Sequence, residues 1–180
     1  MSPISKAIAG DASQPYHLVV RPHLRKQDEE YVLLMLWERK THRLLWQYSF
    51  STYCEFVSWS AKGRSLVVMS EMGEILFWRE GIAPQLCCWN PPPDDAKDLD
   101  YYWNPILSPD SRYVLVRGGA SGSKDMDAGT LLCVDLQTRR CKKLKDSVRR
   151  AEWLSPTRVR YTQVEFLMPG ERLSYGECRV

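Results

Sequence analysis

The 180-residue chain is 44% apolar and 11% aromatic, too rich in core-forming side chains for a disordered polypeptide. Its net charge of +3, from 25 basic and 22 acidic residues, is too balanced to imply nucleic acid or a membrane surface by itself. No apolar run approaches the roughly 20 residues that span a bilayer. Residues 1–14 lack the sustained apolar segment of a secretory signal, so the expected setting is cytoplasmic, with no membrane partner.

Residues 1–14 are small and polar and read as a flexible N-terminal tail. Residues 15–180 read as one domain. Strands are expected over 17–25, with Pro22 marking an edge or bend, then 31–38 and 43–50, joined by the turn 39–42. A second group follows: 54–60, the turn Ala61-Lys62-Gly63-Arg64, then 65–70, 74–78 and 85–89. Residues 90–100 hold three consecutive prolines and four aspartates and read as a loop. The strand pattern resumes at 101–107 and runs through 113–117, a polar loop, and two further apolar runs up to Leu144. Pro, Gly and β-branched residues interrupt every helix-period segment of ten or more residues, so the fold class is all-β and antiparallel.

Internal repetition decides the architecture. Ser60 aligns with Ser108 at an offset of 48, which brings Arg64 onto Arg112 and Leu66-Val67-Val68 onto Val114-Leu115-Val116. Ser155-Pro156 repeats Ser108-Pro109 at an offset of 47. About four units result, over 16–50, 51–90, 101–146 and 147–180, each with room for three or four short strands.

The turn motif stands as Val57-Ser58-Trp59-Ser60-Ala61-Lys62-Gly63-Arg64 and as Ile106-Leu107-Ser108-Pro109-Asp110-Ser111-Arg112. With the hairpin that follows, it resembles the blades of WD-repeat proteins and of propellers with Ser-Pro-Asp-Gly-Arg repeats. The Trp-Asp hallmark is replaced by Phe77-Trp78-Arg79 and Val134-Asp135-Leu136, and no Gly-His dipeptide occurs. The resemblance implies antiparallel four-stranded blades in a small or partial β-propeller. Most propellers of these families have six to eight blades. Four units would close as a compact ring, pair with a second copy in a homodimer that completes the propeller, or take an edge strand from another protein.

No catalytic, metal or cofactor site is expected. The six cysteines lack a C-x-x-C pair and read as buried thiols, although Cys133 and Cys141 could pair across one hairpin. His17, His23 and His42 form no ligand-spaced motif. The segment 118–124 fails the phosphate-loop spacing, and Asp125-Met126-Asp127 lacks the acidic twelfth residue of a calcium loop. Two clusters remain. Asp94, Asp95, Asp98 and Asp100 adjoin Tyr101, Tyr102 and Trp103, a combination suited to protein binding, or equally a solvated loop beside core aromatics. Arg139, Arg140, Lys142, Lys143, Lys145, Arg149 and Arg150 form a basic stretch that could contact an anion or nucleic acid, or be a solvated outer strand.

The leading expectation is a non-catalytic protein–protein interaction module, an adaptor or an immunity-type inhibitor subunit with one protein partner. Loops 90–104 and 118–129 are its contact candidates. The alternative is a small-ligand or enzymatic propeller that uses its central channel. Nucleic-acid binding through 139–150 ranks third.

Overall fold

The computed structural model describes residues 6–8, 14–26, 29–50, 54–87, 98–120, 128–167 and 170–180. The first sheet has the order β1 (Lys6–Ile8), β2 (Tyr16–Lys26), β3 (Glu29–Glu38), β4 (Arg43–Phe50). The second has the order β5 (Cys54–Trp59), β6 (Ser65–Ser70), β7 (Ile75–Arg79), β8 (Gln85–Cys87). The third runs from β9 (Tyr101–Leu107) through β10 (Tyr113–Gly119), β11 (Gly129–Asp135), β12 (Cys141–Ser155) and β13 (Arg158–Leu167) to β14 (Gly170–Arg179). Every pairing is antiparallel between neighbours in sequence. The fold is a partial β-propeller.

The layers stack through period-2 alternation. Leu66 and Val68 of β6 meet Leu18, Leu34 and Leu36 of the first sheet. Their neighbours Val67 and Met69 face the other way, toward Val114, Val116, Leu132 and Val134. That is why β6 is buried at all six positions. Leu115, Leu131 and Cys133, on the opposite face of the third sheet, pack with Val148 and Val159. Three cores thus separate four layers, and each fully buried aliphatic side chain contributes roughly 1.5–3 kcal/mol.

Four packing layers in three hydrogen-bonded sheets is a departure from four separate units. The junction is β12. Residues 141–148 pair with β11, whereas residues 148–155 pair with β13. Ser147 takes a left-handed φ of 56° at the changeover, and the register slips on both sides of it. The strand bends there and leaves the third layer to become the first strand of the fourth, without a break in pairing. Asp146-Ser147 looked like a unit boundary because the bend is polar. Residues 6–8 of the expected tail form the short strand β1 against Leu18–Val20. The register of β2 slips between Arg21 and Leu24, where Pro22 sits.

The repeated turn has a physical basis. Ser60 Oγ accepts the Ser65 N–H at 3.0 Å, and Ser108 Oγ accepts the N–H groups of Tyr113 at 2.9 Å and Arg112 at 3.1 Å. Gly63 and Ser111, in equivalent places, both have left-handed φ, 63° and 59°. The suggested Cys133–Cys141 bridge does not form. Cys141 lies opposite Val134, so the two thiols point to opposite faces, Cys133 into the third core and Cys141 against the second. Burial, reinforced at Cys133 mainly by Cys141 and Asp135, pushes both thiols up to about 12. No helix among the described residues is long and apolar enough to cross a membrane.

Candidate functional site

A strand that ends a layer leaves main-chain groups to be satisfied by its neighbours. In β9 the adjacent layers do this from both sides. The Leu107 N–H donates to Ser58 Oγ at 3.0 Å, and the Ile106 carbonyl accepts from Trp153 Nε1 at 2.9 Å. Just before this sealed stretch, β9 bulges. Ile106 pairs with Leu115 and Trp103 with Arg117, so Asn104 and Pro105 together oppose Val116. Asn104 holds a left-handed φ of 51°, a conformation that Asn tolerates better than most residues, and Pro suits a bulge because it has no N–H to pair.

Beside this bulge an open cavity of about 490 Å³ lies between β5, β9, β10, β11 and β12. Phe56, Val57, Pro105, Ile106, Leu115, Leu131 and Ala151 supply its apolar lining. Asn104, Arg117, Arg149 and Arg150 supply its polar lining. Arg117 projects from the same face of β10 as Leu115. It is paired across strands with Trp103, its guanidinium carbon 5.6 Å from the ring centroid. Arg117 Nη1 also donates a hydrogen bond to the Arg149 carbonyl. Arg149 follows the bend at Ser147; its Nη2 donates to Glu171 Oε2 at 2.8 Å. Two donors of this cluster, Arg149 Nε and Trp103 Nε1, are buried without an acceptor.

Glycines let the tryptophan settle. A Cβ at Gly129 would stand 2.8 Å from the Trp103 ring and 2.8 Å from the Gly118 carbonyl, inside any real contact distance. Tyr101 covers Trp103 at 5.7 Å between centroids. The aromatic run therefore divides. Trp103 and Tyr102 are buried, Tyr102 within the second core and bonded through its hydroxyl to the Leu99 carbonyl at 2.9 Å. Asp98 and Asp100 are exposed and Tyr101 is half-buried, so these three of the acidic and aromatic cluster reach solvent. Asp94 and Asp95 lie outside the described residues, as do 121–127 of the second predicted contact loop.

The basic stretch divides as well. Arg139 and Arg140 are exposed at the turn into β12, where Asp135 Oδ1 accepts the N–H groups of Gln137 at 2.9 Å and Thr138 at 3.0 Å. Burial pushes the Asp135 carboxyl up, but those donors and the Arg112 guanidinium outweigh it and hold the group below its usual value. Lys142, Lys143 and Lys145 belong to the part of β12 that pairs with β11, and Lys143 is paired with Asp146 at 2.9 Å. Arg149 and Arg150 lie past the bend at the cavity. The stretch is thus two surfaces rather than one. Arg117, Asn104, Phe56 and Val57 were not singled out from the sequence. The available signals were an arginine closing the apolar run 113–117 and an Asn-Pro pair inside a strand.

Among the described residues no three His, Cys, Asp or Glu side chains gather as a metal site. No protein-family model matches the sequence, and no curated protein matches it. Solved structures do. The β-propeller domain of the Trilobed protease from Pyrococcus furiosus aligns with 100% of this chain and 58% of its own, at 10% identity and a TM-score of 0.63. The acylaminoacyl peptidase of Pyrococcus horikoshii aligns over 99% and 32%, at 8% identity and a TM-score of 0.62. The Dos1 propeller aligns over 91% and 39%, at 10% identity and a TM-score of 0.50. These likenesses define the chain as having the architecture of a β-propeller domain. It spans under two thirds of the length of these structures.

Proposed function

We propose that the chain is a non-catalytic protein-interaction module, an adaptor or inhibitor-type subunit that binds one protein partner at the arginine-lined cavity. The observation that carries this reading is the convergence of Arg117, Arg149 and Arg150 on an apolar floor, backed by Trp103 and Tyr101. Arginine and aromatic side chains in half-buried clusters dominate the energy of protein interfaces. The polar lining offers guanidinium and amide groups, which donate hydrogen bonds and charge. It supplies neither nucleophile nor base suited to neutral pH, which favours binding over acid–base or covalent chemistry at this cavity. Both peptidases and the Dos1 propeller share the architecture. Fold does not imply function, so the cavity carries the reading. A cytoplasmic setting belongs to the same proposal.

A small-ligand site in the channel is the second reading. Its support is the cavity's size, within the roughly 300–1,000 Å³ usual for ligand pockets. Purification of the tagged protein at native abundance, with the mass of the complex measured, separates the readings. A hetero-complex exceeding 20.9 kDa by one partner is expected. A free monomer that retains only a small molecule would overturn the interaction reading, and a dimer of identical chains would replace the partner with a second copy.

A further inference from the structure

The chemistry of the cavity narrows what can enter it. Three arginines from two layers, Arg117, Arg149 and Arg150, line it, and Glu171 engages one of them. Arg150 is exposed and makes no ion pair among the described residues. Arg149 already binds a carboxylate: its Nη2 holds Glu171 at 2.8 Å, while its Nε has no acceptor. An arginine fork accommodates two carboxylate oxygens side by side, so an incoming carboxylate engages Arg149 by sharing its fork with Glu171 or displacing it. Beneath the charges lies half-buried apolar surface from Phe56, Val57 and Ile106. A bare phosphate leaves that floor wet, and a nucleic-acid backbone offers little aliphatic surface to cover it. A peptide segment in which acidic and apolar side chains alternate satisfies both parts, since successive residues of an extended peptide point to opposite sides.

We infer that the cavity is a carboxylate receptor for an acidic peptide segment with interleaved apolar residues, its Glu or Asp side chains held by Arg149 and Arg150 and its apolar side chains laid on the floor. The inference rests on the protein-interaction reading and names the chemistry of the partner's contacting segment. Arg117 positions the site: tied to Trp103 and to the Arg149 carbonyl, it fixes the strand that presents both receptor arginines.

The test is calorimetric titration of the full chain with three probes: a capped Glu-Leu-Glu-Leu-Glu-Leu peptide, the same peptide with Gln for Glu, and inorganic phosphate. The Glu peptide is expected to bind at least tenfold more tightly than the Gln peptide and than phosphate, and to weaken steeply between 50 and 500 mM salt. Arg150→Gln should weaken it several-fold and Arg149→Gln/Arg150→Gln more than tenfold, with unchanged circular dichroism. Should the double variant fail to fold, Arg150→Gln, altered at an exposed position, decides alone. Equal binding of the Glu and Gln peptides, phosphate binding as tight as the Glu peptide, no peptide binding at millimolar concentration, or indifference to Arg150→Gln each overturns the inference. If the peptide fails while a partner complex is still lost on cavity substitution, the carboxylate inference falls and the interaction module stands. If the peptide binds but no protein partner is recovered, the module reading falls instead.

Discussion

Trp153 donates its indole N–H to the main-chain carbonyl of Ile106 at 2.9 Å, and the two residues stand 47 positions apart, one repeat of the sequence. The bond ties the first strand of the fourth layer to the first strand of the third. Trp153 also stacks on Tyr113, 6.3 Å between centroids. Replacing it with Phe keeps an aromatic ring and removes the donor. Trp153→Phe should therefore cost about 1 kcal/mol, a typical net hydrogen-bond contribution. Urea denaturation read by circular dichroism would show a lower midpoint with an unchanged slope. An unchanged midpoint would mean that the bond contributes nothing to holding the layers.

The serine turn makes a second prediction. Ser111 occupies a left-handed position that glycine fills in the equivalent turn at Gly63. An L-residue there carries a steric penalty, partly offset by the entropy glycine loses on folding. Ser111→Gly should raise stability by about 0.5–1 kcal/mol by the same balance of terms. Ser108→Ala should act in the opposite sense, by about 1–3 kcal/mol, because the N–H groups of Arg112 and Tyr113 lose a shared acceptor. Thermal melts of the two variants should move in opposite directions; a shift of both in the same direction would contradict the turn's role.

Gly129 tests the support beneath the cavity. Its replacement by Ala drives a methyl group into Trp103 and the Gly118 carbonyl. A cost of about 1–3 kcal/mol is expected for such overpacking. Since Trp103 carries Arg117, partner or peptide binding should weaken as well, even though Gly129 does not line the cavity. Wild-type binding in a destabilised Gly129→Ala would disconnect the tryptophan from the site.

Acidification addresses the other end of the molecule. Burial, together with Arg39 and His42, lowers the His17 pKa below its usual 6.5. The unfolded chain then takes up a proton more readily than the folded one as pH falls through 6.5, so folding is penalised progressively below that pH. The melting temperature should drop between about pH 7 and pH 5 more in the wild-type protein than in His17→Gln. Parallel pH profiles in the two proteins would show that His17 is not the group responsible.

What the sequence made legible was the layering, for a reason visible in β6 and β10. Strands covered on both faces must be apolar at consecutive positions, so Leu66-Val67-Val68 and Val114-Leu115-Val116 stand out and repeat. The serine turns repeat because one side chain satisfies the same N–H position each time. The site was less legible. Arg117 and Arg149 meet only because β12 bends at Ser147 and runs on into the next layer, and a residue that bends a strand looks like one that ends it. Tyr102 and Trp103 read equally as a binding surface beside the aspartates and as core aromatics; the strand buries Tyr102 in the second core and Trp103 under Arg117. The unit boundary at 146/147 already separated the last two basic residues from the first five, but nothing in the sequence showed that one continuous strand carries them to the cavity.

The arginine-lined cavity is the proposed site for the protein partner. The most direct measurement is quantitative affinity capture at native abundance, comparing the wild-type chain, Arg149→Gln/Arg150→Gln at the cavity, and Arg139→Gln/Arg140→Gln at the far end of the basic stretch. One partner should be recovered in stoichiometric amount by the wild type and by the Arg139/Arg140 variant, and lost from the cavity variant although that protein remains folded. Equal recovery by all three, or selective loss from the Arg139/Arg140 variant, would contradict it.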